Sequence, residues 1–533
     1  MKKPINTWQD AGVEQAWEQL TQPSTWDAIV VGGGITGAGI AREAARRGLR
    51  VLLLERQDFA WGTSSRSSKM VHGGLRYIAA GDVKTTMHSV HERERLMQEL
   101  PGLVDRMGYL MAHYQGGFPG PFVFNTLLRI YDFFAGKKYR QYFPAAAFQW
   151  RAPYIQSEQL LGGTQFADAV TDDSRLVMRV LREAQRDGAC VLNYVSVDRL
   201  CKEEGRVTGV HVTNQRTQQT LLLQAHVVIN ATGAWADELR QAVSDQRHIR
   251  PARGSHIVLP QWRLPSAQAL TVLHPEDRRP IFIFPWEGRT VVGTTDLDNN
   301  GIANEEASMT RDELRYLLKV VDAQYPSQAI VEADVISSWA GVRPLVSSGA
   351  LNPSKEKRDH SVWDEQGLVS VSGGKLTTFR LIALDVLAKA KRYIPNYPVG
   401  QFSEQLFTPM SRSLDGMQHL PKYLQRRLQG HYGADLPSLL ALAVEGDFEL
   451  IPGSRTLWLE LRWAAQHEAI HHLDDLLLRR TRLGLLLPQG GLLLIDRIRH
   501  VSQAGLTWDD ARWQHEIERY RTLWQRHYGI PNE

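Results

Sequence analysis

Ala28-Ile29-Val30-Val31-Gly32-Gly33-Gly34-Ile35-Thr36-Gly37-Ala38-Gly39 is the stretch on which the reading of the fold turns. Ala28 to Val31 is a short apolar run of buried-strand type, and it enters a glycine turn without a break. Ile40 to Arg47 then reads as a helix. In such a turn Gly32 permits the tight bend, Gly34 lets the backbone approach a pyrophosphate, and Gly37 lets helix and strand pack closely. The helix N-terminus stabilises the phosphate charge. A second strand, Arg50 to Leu54, ends in Glu55, about 20 residues on, where a carboxylate accepts hydrogen bonds from ribose hydroxyls. NAD and FAD share this fingerprint, so these residues predict a dinucleotide and leave its identity open.

Working outward, strand-like runs alternate with helical patterns from Asp27 to Leu100, which predicts a parallel sheet with crossover helices. Gly116 to Phe143 is rich in Phe, Pro, Gly and Tyr, and strand-rich pieces follow from Val191 to Val212 and from His256 to Thr295. After Pro398 the chain reads as helices, with Leu and Trp at three- and four-residue spacing as in Leu457 to Leu486. The 533 residues suffice for two to four domains at roughly 100–200 residues each. A charge balance of 62 Lys and Arg against 58 Asp and Glu argues against a nucleic-acid partner. The two cysteines, Cys190 and Cys201, form no framework, which fits a reducing compartment and assigns any redox chemistry to a cofactor. No window reaches the roughly 18 apolar residues of a membrane span. The start of the chain has no apolar signal core, so residues 1–25 are expected to be an exposed, partly helical tail.

Gly62-Thr63-Ser64-Ser65-Arg66-Ser67-Ser68-Lys69 and His72-Gly73-Gly74-Leu75-Arg76-Tyr77 follow Glu55. Further along come Asn230-Ala231-Thr232-Gly233-Ala234-Trp235, Gly254-Ser255-His256, Gly293-Thr294-Thr295-Asp296, Gly341-Val342-Arg343-Pro344-Leu345 and Gly373-Gly374-Lys375-Leu376-Thr377-Thr378. Asp474-Asp475 precedes Arg479-Arg480-Thr481 near the end. In this order the motifs resemble the FAD-dependent glycerol-3-phosphate dehydrogenase family, of the aerobic, quinone-linked type, over nearly the whole chain from residue 26. The resemblance implies a Rossmann-like FAD domain (26–100 with 166–250 and 335–397) interleaved with a β-rich substrate domain (101–165 with 251–334), an α/β architecture, followed by a helical C-terminal domain (398–533). The FAD contacts it implies are Gly32, Gly34, Gly37, Glu55, Ser67, Ser68, Lys69, Gly233, Gly374, Lys375, Leu376 and Thr377. Independently of the resemblance, the Ser/Thr run with Lys69 offers donors suited to a diphosphate or flavin edge. The Gly373 to Thr377 segment opens a helix whose free amides favour an anionic ring.

The implied reaction is oxidation of sn-glycerol 3-phosphate to dihydroxyacetone phosphate, with electrons passed to a membrane quinone or, alternatively, to oxygen. Alcohol oxidation onto a flavin needs a base, and histidine suits neutral pH. Of 18 histidines, His72 and His256 lie inside the shared motifs. His256 is favoured because Gly254 and Ser255 would present it on a turn. The phosphate dianion calls for cations of fixed geometry, for which Arg76, Arg343 and Lys375 are candidates, with Tyr77 adding a hydroxyl. Arg343 is further restricted by Pro344 to an extended backbone.

Two rival motifs stand beside this reading. His467-Glu468-Ala469-Ile470-His471 matches the H-E-x-x-H zinc-protease pattern on a predicted helix but has no convincing third ligand. Asp296-Leu297-Asp298-Asn299-Asn300-Gly301 imitates a calcium loop, with Ala307 at its bidentate position. We therefore expect no metal. Phe124, Leu127, Leu128, Tyr131 and Phe134 recur at helical spacing, followed by Lys137, Lys138 and Arg140. This predicts an amphipathic stripe for an anionic membrane surface, with the protein lying peripherally on the cytoplasmic face of the cell membrane. The sequence leaves the oligomeric state open, homodimer included.

Overall fold

The computed structural model describes residues 8, 10–75, 78, 82–299, 305–347, 359–400, 402, 405–409 and 415–531. In it the opening apolar run becomes β1 (Thr25–Val31), the centre of a parallel set with β2 (Val51–Leu54), β3 (Cys190–Leu192), β4 (Thr220–Asn230) and β5 (Leu368–Gly373). Their spatial order is β5-β4-β1-β2-β3. Ala28 to Val31 and Val51 to Leu54 are buried throughout, as parallel strands covered on both faces must be. Helices Ile35–Ala45, Asp173–Arg186 and Phe379–Ala390 pack together on one face. An antiparallel pair, Val195–Glu203 and Arg206–Asn214, extends the sheet from β4.

The other face of this sheet carries a correction. Within the expected exposed tail, residues 10–25 are instead docked: helix Asp10–Leu20 lays Ala16, Trp17 and Leu20 against Trp26 and Ile29. These three recur at one-helix-face spacing, so burying them covers apolar sheet that would otherwise meet water. Trp8 is buried as well. Its ring lies 5.8 Å from that of Phe59, and its carbonyl accepts from Ala469 N at 3.1 Å.

A second, mostly antiparallel sheet of ten strands stands beside the first. Met70–Val71 joins it by pairing with Leu160–Thr171, so the Ser/Thr run after Glu55 leads from one sheet into the other. Strand Ile249–Pro260 pairs with Arg289–Gly293 and with Ser337–Val346. Thus the first strand of the 335–397 segment, assigned on sequence to the nucleotide-binding part, lies in this second sheet, where its first six residues are buried and Trp339 joins the core. Helices Lys422–Tyr432, Trp458–His467, Ile495–Leu506 and Asp510–His527 form the helical C-terminal domain.

Helix Pro121–Ala135 turns its expected membrane stripe inward. Phe124, Leu128 and Tyr131 are buried, and Leu127 and Phe134 pack against Tyr131 and Val90. Lys137 is held by Glu94 at 3.0 Å and Arg140 by Asp132 at 2.6 Å. The opposite face instead exposes Phe122 (84%) and Phe133 (81%), together with Val123, Ile130 and the preceding Phe118. A period-3.6 pattern with aromatics on both faces fixes the helix but not which face meets the core.

Trp17→Ala should lower the unfolding free energy by about 3–5 kcal/mol, read by urea denaturation. An unchanged transition would return the N-terminal helix to the status of a tail.

Candidate functional site

The turn after β1 is held by contacts that admit no side chain. A Cβ on Gly32, whose φ is +113°, would lie 2.6 Å from Ala231 O, and one on Gly37 would lie 1.9 Å from Gly32 O. Glu55 closes the turn from β2: its carboxylate accepts from Gly33 N at 2.7 Å and Gln57 N at 2.9 Å. Burial raises its pKa, and these two amides oppose the rise.

From this turn a cleft of about 370 Å³ runs to the Gly373–Leu376 loop. Gly32, Gly34, Glu55, Ser67, Gly233, Gly374, Lys375 and Leu376 line it. Gly37 sits behind it in a packing role, and Thr377 is buried, donating to His72 O at 3.3 Å. Lys375 Nζ donates to Ser89 Oγ at 3.1 Å. The loop reaches its helix through Gly373 (φ +81°) and Gly374 (φ +79°), a left-handed pair that other residues rarely adopt.

Lys69 departs from its expected role as a cofactor donor. It is fully buried, and its ammonium donates to both Asp173 oxygens at 2.9 Å and to Ser65 O at 2.6 Å. Burial brings its pKa down to about 7; Arg482 adds to the fall and Asp173 opposes it. Asp173 also accepts from Ser67 N at 3.0 Å and Ser67 Oγ at 2.7 Å. Lys69 therefore shapes the Ser/Thr run from beneath. The next serine turns elsewhere, with Ser68 Oγ 2.9 Å from His256 Nε2.

His256 lies in the middle of strand Ile249–Pro260, between Trp339 and Gly293 in register, and not on the expected turn. Gly254 and Ser255 keep extended ladder geometry because they pair with Gly341 and Ala340 of strand Ser337–Val346; Gly254 serves to leave room for Arg343, whose Nη2 would be 2.3 Å from a Cβ there. The imidazole stacks on Trp339 with centroids 4.8 Å apart and planes 13° from parallel. Burial, then Arg343 and Lys69, push its pKa well below the usual histidine value, so it is neutral at physiological pH. Arg343 is braced by Asp296 Oδ1 at 3.1 Å, Thr295 O at 3.3 Å and Thr294 Oγ1 at 2.8 Å. Asp296 is thereby accounted for without a calcium ion. Arg76 and Tyr77 lie outside the described residues.

The H-E-x-x-H match dissolves in the structure. Helix Trp458–His467 ends before Glu468, and Ala469 takes φ +52°, so the two histidines do not share a helical face. Glu468 is bound by Arg175, and no group of three His, Cys, Asp or Glu side chains among the described residues could hold a metal ion. Sequence reasoning missed Asp173, and it quoted Asp296 without foreseeing its contact with Arg343. Asp172-Asp173 before a helical run signals an N-cap, which Asp172 provides to Arg175 N at 3.1 Å, but gives no hint that the second acid faces inward.

Residues 27–382 match the model of the FAD dependent oxidoreductase family, and 390–513 match the C-terminal domain of alpha-glycerophosphate oxidase. The chain is 33% identical over 489 residues to the aerobic glycerol-3-phosphate dehydrogenase of Staphylococcus haemolyticus, covering 86% of this chain and 87% of that one. It is 33% identical over 527 residues to glycerol-3-phosphate dehydrogenase 2 of Mycobacterium bovis, covering 95% and 89%. The chain belongs to the FAD-dependent glycerol-3-phosphate dehydrogenase family. The glycerol-3-phosphate dehydrogenase of Bacillus halodurans in complex with FAD superimposes with a TM-score of 0.77 at 25% identity, 98% of each chain being covered. The L-alpha-glycerophosphate oxidase of Mycoplasma pneumoniae shares the fold, with a TM-score of 0.54 at 18% identity over 71% of this chain and 100% of that one. FAD is the cofactor of the family and of this chain, and the cleft suits it: a turn closed to any Cβ, a carboxylate at the end of β2 and a glycine pair at the far loop.

Gly37→Ala should give folded protein without bound flavin, seen as loss of the yellow absorbance relative to protein absorbance, because its methyl would displace Gly32 O from the turn. Full flavin occupancy in this variant would remove the turn from the FAD site.

Proposed function

We propose that this protein oxidises sn-glycerol 3-phosphate to dihydroxyacetone phosphate at the Lys375 end of the cleft. The observation that carries the reading is the cluster of a neutral buried imidazole, His256, beside a braced guanidinium, Arg343. Bound FAD supplies the acceptor for the hydride leaving the carbinol carbon. His256 takes the hydroxyl proton: with Nε2–H donating to Ser68 Oγ, the Nδ1 lone pair is the basic site. Arg343 and Lys375, with Arg76 and Tyr77, bind the phosphate and carbinol oxygens. Ser67, Gly34 and Gly374 hold the cofactor, and His72 orders the loop through Thr377.

The electrons pass to a membrane quinone, with the protein resting peripherally on the cytoplasmic face. The exposed apolar face of helix Pro121–Ala135 supports the membrane contact, and the relatives' naming as dehydrogenases supports an acceptor other than oxygen. Among the described residues no helix is long and apolar enough to cross a membrane. Transfer to oxygen is the second reading, favoured by the match of residues 390–513 to an oxidase domain. Anaerobic reduction by glycerol 3-phosphate followed by mixing with a quinone analogue or with oxygen separates them. Rapid reoxidation by the quinone alone is expected; rapid reoxidation by oxygen would overturn the quinone reading.

Arg343→Ala should lose about 1.5–3 kcal/mol of transition-state stabilisation, measured as kcat/KM, with flavin still bound. His256→Ala should slow flavin reduction by roughly 10²- to 10⁴-fold. A lowered histidine pKa leaves the base unprotonated above it, so the native rate should stay level down to about pH 6.5 and fall only in more acid solution. Wild-type reduction in His256→Ala, with none in His72→Ala, would exchange their roles.

Phe122→Ser with Phe133→Ser should sharply reduce sedimentation with anionic vesicles and quinone-linked turnover while dye-linked turnover persists. Converting Lys137, Lys138 and Arg140 to Glu should matter less, since two of these cations already have carboxylate partners. Unchanged vesicle binding by the Phe variant would remove this face from the membrane contact.

A further inference from the structure

Helix Asp173–Arg186 turns Arg175, Arg179 and Arg182 toward the C-terminal helices, one turn apart. With Trp8, His431 and the carboxylates Asp435 and Glu468 among the other lining residues, they surround a small cavity of about 10 Å³, with room for one water-sized occupant. It lies apart from the FAD cleft, and none of the residues assigned to cofactor or substrate contributes to it.

The outer two arginines each hold a carboxylate, although Arg175 Nε has no acceptor among the described residues. Arg175 holds Glu468 through both terminal nitrogens, Nη2 at 3.1 Å, and Arg182 Nε donates to Asp435 at 2.9 Å. Arg179 differs. It is 3% exposed, and Nη1 donates to Gly430 O, whereas Nε and Nη2 have no hydrogen-bond acceptor among the described residues. The carboxylate facing it, Glu183, stands 3.9 Å from Nη2. That carboxylate already accepts from Thr408 N at 3.1 Å, Thr408 Oγ1 at 2.6 Å and Arg186 at 2.8 Å. Burial accordingly brings the Arg179 pKa down to about 10, and it holds the neighbouring His431 neutral.

A buried cation is stable when paired as well as hydrogen-bonded. Glu183 pairs with Arg179 only at 3.9 Å, and three arginines line the cavity against two carboxylates, Asp435 and Glu468; water would satisfy the idle donors and leave that excess of positive charge, whereas a phosphate or carboxylate metabolite exceeds the space. We propose that this cavity is a binding site for a monatomic monovalent anion of the halide class, with Arg179 Nη2 as its principal donor. The ion would join the helix carrying Asp173 to the C-terminal helices at the point where the N-terminal Trp8 also meets both.

The test uses the holoenzyme. Crystals grown with bromide in place of chloride should give an anomalous peak in hydrogen-bonding contact with Arg179 Nη2. At matched ionic strength the thermal midpoint should be about 1–3 °C higher in chloride than in gluconate, and Arg179→Met should erase the difference. An ordered water without bromide signal in the cavity overturns the proposal, as do equal wild-type midpoints in the two salts. Should Arg179→Met fail to fold, the bromide map and wild-type midpoints decide.

Discussion

Asp173 is the buried carboxylate on which the site depends. It sits with no solvent access at the start of helix Asp173–Arg186 and gathers Ser67 and Lys69 from one distant part of the chain and Arg482 from another. A charge in such a place costs several kcal/mol of desolvation unless its partners surround it, so the three segments are held in one arrangement. Through Ser67 and Lys69 it sets the path of the polar run between the two sheets. Through Ser68, the residue between them, that path fixes the position of the hydroxyl that meets His256.

The same logic recurs where the helical domain meets β2. Asp58, three residues beyond Glu55, accepts from Arg480 Nη1 and Nη2 at 2.7 Å and from Arg479 Nε at 2.5 Å. Burial alone would raise its pKa, but the two guanidinium groups hold it below the ordinary carboxylate value. Asp474 and Asp475 take the outer nitrogen of Arg479, and Tyr194 donates to Asp475 at 2.7 Å. Removing one member of such a set strands the others without water or partner, which makes the C-terminal helices part of the nucleotide turn's support.

Sequence alone made the turn legible because its chemistry is local: the spacing of Gly32, Gly34, Gly37 and Glu55 is set by one strand, one bend and one helix. The Asp474-Asp475 and Arg479-Arg480 motif was visible as text, but its partner Asp58 lies more than 400 residues away, and nothing local announces a buried ion cluster. Lys69 and His256 were misread for a related reason. A lysine in a serine-rich run reads as a donor facing outward, and a Gly-Ser before a histidine reads as a turn; only the pairing of Ile249–Pro260 with Ser337–Val346 makes that segment straight. The N-terminal helix and helix Pro121–Ala135 share a further limit: periodicity reports that a face is apolar, and tertiary packing decides what it covers.

The polarity of the substrate end follows from these supports. Arg343 and Lys69 put positive charge beside a histidine that burial has already made reluctant to ionise. In water an imidazole among cations would be a weak base without purpose. Beside an anionic substrate the balance changes, because the dianion offsets the cations and raises the affinity of the imidazole for a proton at the moment the hydroxyl must lose one. Under the proposed function, phosphate binding and base strength are thereby coupled through charge alone. Asp296 and Thr294, which touch Arg343 from behind, matter by keeping that cation where the coupling is strong.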